Sequence, residues 1–139
     1  MTMIGIVIIT HGRMSEVLVE TASLIMGEQK DLVAVTFSAR ESLENLRQKA
    51  REATSLYRDS GCLILTDVLG GSATNICAEL LPHDWIRILT GVNLPMLMEA
   101  LSQRENLDLL TLARKVHGGG VRGIIDLKDF FEEHARKKK

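Results

Sequence analysis

Cysteine is scarce in this chain, with two residues in 139. Neither Cys62, in GCLILT, nor Cys77, in NICAEL, belongs to a CxxC pair or a Cys/His cluster. That pattern excludes a disulfide framework and gives a metal site nothing to stand on, so both thiols are expected to be reduced and buried. Net charge is also missing: 17 Lys and Arg against 18 Asp and Glu leave −1. No general attraction to nucleic acid or an anionic membrane is expected, although the ending ARKKK is locally basic. The apolar runs fall far short of a membrane span, and Met1-Thr2-Met3 lacks the charged start and long apolar core of a secretion signal. These absences point to a cytoplasmic protein. At this length a single domain can bury a sizeable core without staples.

What is present is an alternation of short Val/Ile/Leu runs with longer segments of helical spacing, the pattern of βαβ units around a parallel sheet. Strands are predicted at Ile4–Ile9, Leu32–Phe37, Cys62–Thr66 and Ile86–Thr90, all apolar enough to be covered by helices on both faces. Between them, Ser15–Met26 reads as a helix ended by Gly27, with Leu18, Ala22 and Ile25 on one face. Ser38-Ala-Arg-Glu41 has capping-box spacing and opens a helix reaching Tyr57. A third helix covers Ala73–Leu81 before Pro82, a fourth runs from Pro95 to Arg104, and a fifth spans Leu109–Val116, with His117 placed to help end it. Gly118-Gly119-Gly120 then reads as a flexible hinge leading to a last short strand, Val121–Leu127, antiparallel at a sheet edge or paired with a second subunit. Residues 128–139 read as a short basic helical tail capped by Asp129, with Phe130 and Phe131 packed on the domain body or, alternatively, at a partner interface.

In open parallel sheets, ligands sit beyond the carboxyl ends of the strands where the winding reverses. For the order 2-1-3-4 that crevice lies between strand one, ending in Thr10-His11-Gly12, and strand three, ending in Thr66-Asp67. Neighbouring strands lie about 4.8 Å apart, so His11 and Asp67 fall within hydrogen-bonding reach. A carboxylate on one imidazole nitrogen fixes the tautomer and leaves the other nitrogen free to attack. Gly12 keeps the approach open, and Gly70-Gly71-Ser72 at a helix start can offer amides and a hydroxyl to an anion. The set suits a phosphoryl group on histidine. The same residues also suit a structural His–Asp pair and a plain turn, and spacing alone does not separate these readings.

Three stretches in order, IGIVIITHGRMSE, LTDVLGGSATN and TGVNLPMLMEAL, resemble the IIA components of the mannose class of the bacterial phosphoenolpyruvate-dependent sugar phosphotransferase system. The resemblance spans about residues 3 to 127. It implies a doubly wound α/β domain over 1–127 whose last strand is exchanged in a homodimer, and a carrier that needs no cofactor. It further implies that His11 takes phosphate through Nε2 from the phosphocarrier HPr and passes it to a IIB protein, here a separate polypeptide. The membrane would be reached only indirectly, through IIC and IID components. By matching position, Asp67 would hold Nδ1 of His11, and Ser72 would meet the phosphate, helped by the amides of Gly70 and Gly71. Thr10, Gly12, Arg13 and Asn93 would border the pocket. Ala73 stands where many relatives have proline, which leaves the helix start less preorganised.

Two other functions compete. A phosphorylation-dependent regulatory module of the same fold fits the same residues. A serine hydrolase using His11, Asp67 and Ser72 fits poorly, because G-G-S-A-T lacks the glycine two residues after the serine. His83 reads as a turn residue, His134 belongs to the tail, and Met96 and Met98 read as core filling.

Overall fold

In a strand, alternate side chains face opposite ways, so the unbroken apolar run of the first strand feeds two cores at once. The computed structural model describes residues 3–137 and bears this out. Ile4, Ile6 and Ile8 enter one cluster with Leu63, Leu65 and Leu97. Val7 and Ile9 enter another with Leu46, Cys62, Ile64 and Ile76. Strands β1 (Gly5–Ile9), β2 (Leu32–Val35), β3 (Cys62–Thr66) and β4 (Ile86–Leu89) are all parallel, in the order β2-β1-β3-β4. This is the predicted doubly wound α/β sheet. Only β1 and β3 are buried along their whole length; the outer strands β2 and β4 are half open.

Helices α1 (Met14–Met26), α4 (Leu94–Gln103) and α5 (Leu109–Arg122) cover one face, and α2 (Leu43–Ser55) and α3 (Ser72–Ala78) the other. Gly5 is required by a close approach: a Cβ there would lie 2.2 Å from the ring of Tyr57. At the amino-terminal edge of the sheet, the buried Arg104 guanidinium donates to the carbonyls of Ile4, Asp31 and Lys30, joining the end of α4 to the starts of β1 and β2. Cys62 and Cys77 are free and buried, and burial pushes both thiols up to about 12.

Several expectations are corrected. Helix α2 begins after Ser42, whose hydroxyl accepts from Asn45 N at 3.0 Å, whereas Ser38 and Glu41 form a separate turn with the Ser38 amide donating to the Glu41 carboxylate. Ile25 is exposed; α1 turns Ala22 inward, with Leu18, Val19 and Met26 against the core. Helix α5 does not end at Val116 or His117 but runs through Gly118-Gly119-Gly120 to Arg122. The reason is packing, not flexibility. A Cβ at Gly120 would lie 2.4 Å from Met96 Cγ, one at Gly119 3.1 Å from Glu99, and one at Gly123 2.4 Å from Pro95. Bare glycine backbone lets α5 close on α4, which outweighs the cost of about 1 kcal/mol per helical glycine.

Consequently the strand expected at Val121–Leu127 is absent. Val121 and Arg122 finish α5, and Leu127 opens α6 (Leu127–Lys137) after Asp126, whose carboxylate accepts from Asp129 N at 3.2 Å. Asp126, not Asp129, caps this helix. Phe130 and Phe131 do not pack on the domain body as expected. They meet each other edge to face, and Phe130 lies against His134, while every described side chain from Val121 to Arg136 is exposed.

Candidate active site

The site is assembled by register. Ile9 of β1 pairs with Thr66 of β3, so the next residues of the two strands leave the sheet side by side. Asp67 Oδ2 accepts from the His11 backbone amide at 2.8 Å and from His11 Nδ1 at 2.7 Å. One oxygen therefore orients the ring relative to its own main chain. A carboxylate facing Nδ1 places the proton there and leaves Nε2 as the lone pair. The second oxygen, Oδ1, accepts from Val68 N at 3.0 Å. Burial by itself would raise the Asp67 carboxyl, but the hydrogen bonds from the His11 amide and ring outweigh it and hold the group below the usual carboxylate range. The Asp67 side chain is 14% exposed and that of His11 47%, so the carboxylate is recessed and the imidazole presented.

Each surrounding loop is pinned. Thr10 is fully buried, and its hydroxyl accepts from Ser15 N at 2.8 Å, while Ser15 Oγ donates to Val35 O. Thr10 thus forms the floor of the loop instead of the pocket wall. Gly12 has φ +58 and pairs its backbone with Phe37, its amide donating at 2.8 Å. A side chain there would meet open space, so glycine is needed for the left-handed turn. Arg13 is 74% exposed and pairs with Glu16 at 3.1 Å. Asn93 faces elsewhere: its Oδ1 accepts from Met96 N to cap α4, and its Nδ2 donates to Gly120 O on α5. From that loop it is the Gly91 amide that reaches the site, donating to Asp67 O at 3.1 Å.

On the β3 side, Gly70 takes φ +85. Gly71 is required for another reason, since a Cβ there would stand 2.9 Å from His11 Cε1 and 3.0 Å from Val68 Cγ1. Its amide already donates to Val68 O at 3.2 Å, so it is not the free phosphate donor that the sequence suggested. Ser72 is the first residue of α3 and is half-buried. No hydrogen bond joins Ser72 to His11 among the described residues; the paired groups are His11 and Asp67.

Sequence reading missed four contributors. The Phe37 ring lies 6.1 Å from that of His11. Its signal was available, because the predicted second strand ended at Phe37 next to strand one. Thr74 Oγ1 donates to Val68 O at 2.7 Å and accepts from Thr66 Oγ1 at 2.8 Å, bracing the loop that carries Asp67. Val68 and Leu69 are 53% and 80% exposed, forming an apolar rim on the turn after Asp67.

The family model described as "PTS system fructose IIA component" matches residues 5–117. The chain belongs to the mannose-class IIA family of the phosphotransferase system. This IIA chain is 36% identical to the PTS system fructose-specific EIIA component of Bacillus subtilis over 112 residues, covering 79% of this chain and 77% of that protein. It is 33% identical over 127 residues to the PTS system mannose-specific EIIAB component of Escherichia coli K12, covering 87% of this chain but only 39% of that longer protein. Among solved structures, phosphotransferase system component EIIA from Streptococcus agalactiae matches with a TM-score of 0.86 at 31% identity, covering 91% of this chain and 99% of that one. As a IIA component, the chain is a phosphotransferase component of sugar transport. No helix among the described residues is long and apolar enough to cross a membrane.

Proposed function

We propose that His11 is the phosphoryl carrier, taking the group from phosphohistidine on HPr and passing it to a IIB partner. The observation that carries this reading is the double engagement of Asp67 Oδ2, which occupies Nδ1 and leaves Nε2 as the nucleophile on the exposed edge of the ring. The Nε2 lone pair attacks phosphorus while the P–N bond to the donor histidine breaks, its electron pair returning to that ring. The Nδ1 proton stays on His11, and the Asp67 carboxylate stabilises the positive charge that develops on the imidazole. The step then runs in the other direction on IIB.

Both donor and acceptor are read as proteins because the ring is presented on the surface beside an apolar rim, an arrangement suited to a docking face. Ser72 at the start of α3 and the amide of Gly70 supply the donors for the phosphate oxygens. Gly71 contributes clearance for the ring instead of an amide.

Incubation with phosphoenolpyruvate, enzyme I and HPr should load one acid-labile, base-stable phosphoryl group per chain. His11→Ala should load none, and Asp67→Asn should load about 100-fold more slowly, in the range of lost acid–base positioning. Equal loading of wild type and His11→Ala would refute the assignment. Ser72→Ala should slow loading without abolishing it, and an activated fluorophosphonate should leave Ser72 unlabelled.

A further inference from the structure

The Asp67 carboxylate can steer the His11 ring only as firmly as its own stretch of chain is held. Up to Asp67 the main chain is fixed from the loop after β4, where Val92 N donates to Thr66 O at 3.0 Å and Gly91 N to Asp67 O at 3.1 Å. Beyond that point the chain turns at once. Val68–Gly71 is closed by the Gly71 amide on Val68 O at 3.2 Å, with Gly70 in the left-handed region as its third residue. That bond lies inside the turn and moves with it. So does the bond from Val68 N to Asp67 Oδ1 at 3.0 Å.

Among the described residues, two side chains tie this turn to the elements around it. Asn75 Nδ2 reaches Gly70 O at 3.3 Å on the exposed side. Thr74 works from the buried side: its Oγ1 donates to Val68 O at 2.7 Å and accepts from Thr66 Oγ1 at 2.8 Å. Thr74 is 7% exposed and Thr66 fully buried. The third position of a helix is where a side chain can turn back past the first turn, and Thr74 holds that place in α3. The chain of hydroxyls runs from the end of β3, through α3, to the turn that follows Asp67. Space filling alone does not call for it, because a buried hydroxyl must find a partner and a valine of the same shape need not.

We propose that Thr74 is a positioning residue for the His11–Asp67 pair: its hydroxyl, backed by that of Thr66, fixes the main chain of Val68, whose amide sets the rotation of the Asp67 carboxylate. With Oδ1 held there, Oδ2 stays on His11 Nδ1 and on the His11 amide. The effect on rate rests on the carrier role of His11, whereas the effect on the ring does not.

The maximal single-turnover rate of loading from phosphorylated HPr should fall about 10-fold in Thr74→Val, with the half-saturating HPr concentration unchanged, because the ring is misplaced and the docking face is not. Thr74→Ser should restore the rate. Nitrogen NMR of the His11 ring at about pH 9, above the range in which histidines ordinarily titrate, should show the Nδ1–H tautomer in wild type and a growing share of Nε2–H in Thr74→Val. The double variant Thr66→Val with Thr74→Val removes both hydroxyls together, so it should melt close to wild type and still be slow. Thr54→Val deletes a buried hydroxyl that bonds only its own helix, and it should leave rate and ring spectrum unchanged. A wild-type rate with an unshifted ring in Thr74→Val or in the double variant would overturn the inference. So would a Thr74→Ser as slow as Thr74→Val. If wild type loads no phosphoryl group, the carrier reading falls, and the ring spectra still decide the role of Thr74.

Discussion

Gly70-Gly71 and Gly118-Gly119-Gly120 look alike as sequence and do opposite things. The first is a turn: Gly70 adopts a left-handed φ of +85, and Gly71 stands aside for the His11 ring. The second is regular helix, in which missing side chains let α5 close on α4. A glycine run therefore reports either a backbone conformation or a near neighbour, and only the packing partner tells which. Reading the second run by the rule that suits the first turned a helix into a hinge and created a strand that is not there.

Alanine substitutions put this contrast under test. Gly71→Ala should have the largest effect, lowering phosphoryl loading by up to about 100-fold through displacement of the reacting ring, with little change in melting temperature. Normal loading in that variant would mean that the ring has room to move. Gly120→Ala should do the reverse, leaving loading rates alone and costing about 1–3 kcal/mol in urea unfolding, because its methyl meets Met96 in a filled core. Gly70→Ala should cost about 1–2 kcal/mol through the left-handed backbone alone. Gly118→Ala should be mildly stabilising, by about 0.5–1 kcal/mol, since its nearest neighbour is the mobile end of Arg122 and the helix gains propensity. If Gly118→Ala and Gly120→Ala shifted stability in the same direction by the same amount, the helix-contact account would fail.

The turn that the first pair serves can also be followed by pH. The Asp67 carboxyl is held below its ordinary value in the folded chain, so its contribution to stability is present above about pH 4. That contribution is lost as pH falls through the lower folded value. The difference in urea midpoint between wild type and Asp67→Asn should narrow on acidification below about pH 4. A gap that widened on acidification would contradict the hydrogen-bonded carboxylate.

How far the molecule was legible depended on what each residue answers to. The four strands and their order follow from apolar runs and the rules of parallel winding, and those rules alone bring His11 to Asp67. Local signals failed where the determinant lay across the fold. Asn93 resembled a pocket residue but spends both ends of its amide on α4 and α5. Thr74 resembled an ordinary helix residue, yet it braces the turn after Asp67 through Thr66, eight positions earlier. Phe130 and Phe131 were assigned to the core for want of anything else to cover them. Both rings instead stand exposed on α6.

The convergence of two His11 donors on a single oxygen of Asp67 also divides responsibilities within the site. The nitrogen proposed to react takes its coordinates from the buried strand, while the surface around it is supplied by Val68 and Leu69 on a turn whose side chains are exposed. If His11 carries the phosphoryl group as proposed, those two side chains can be exchanged to suit different docking proteins without redrawing the chemistry, much as a fitting can be changed on a fixed pipe.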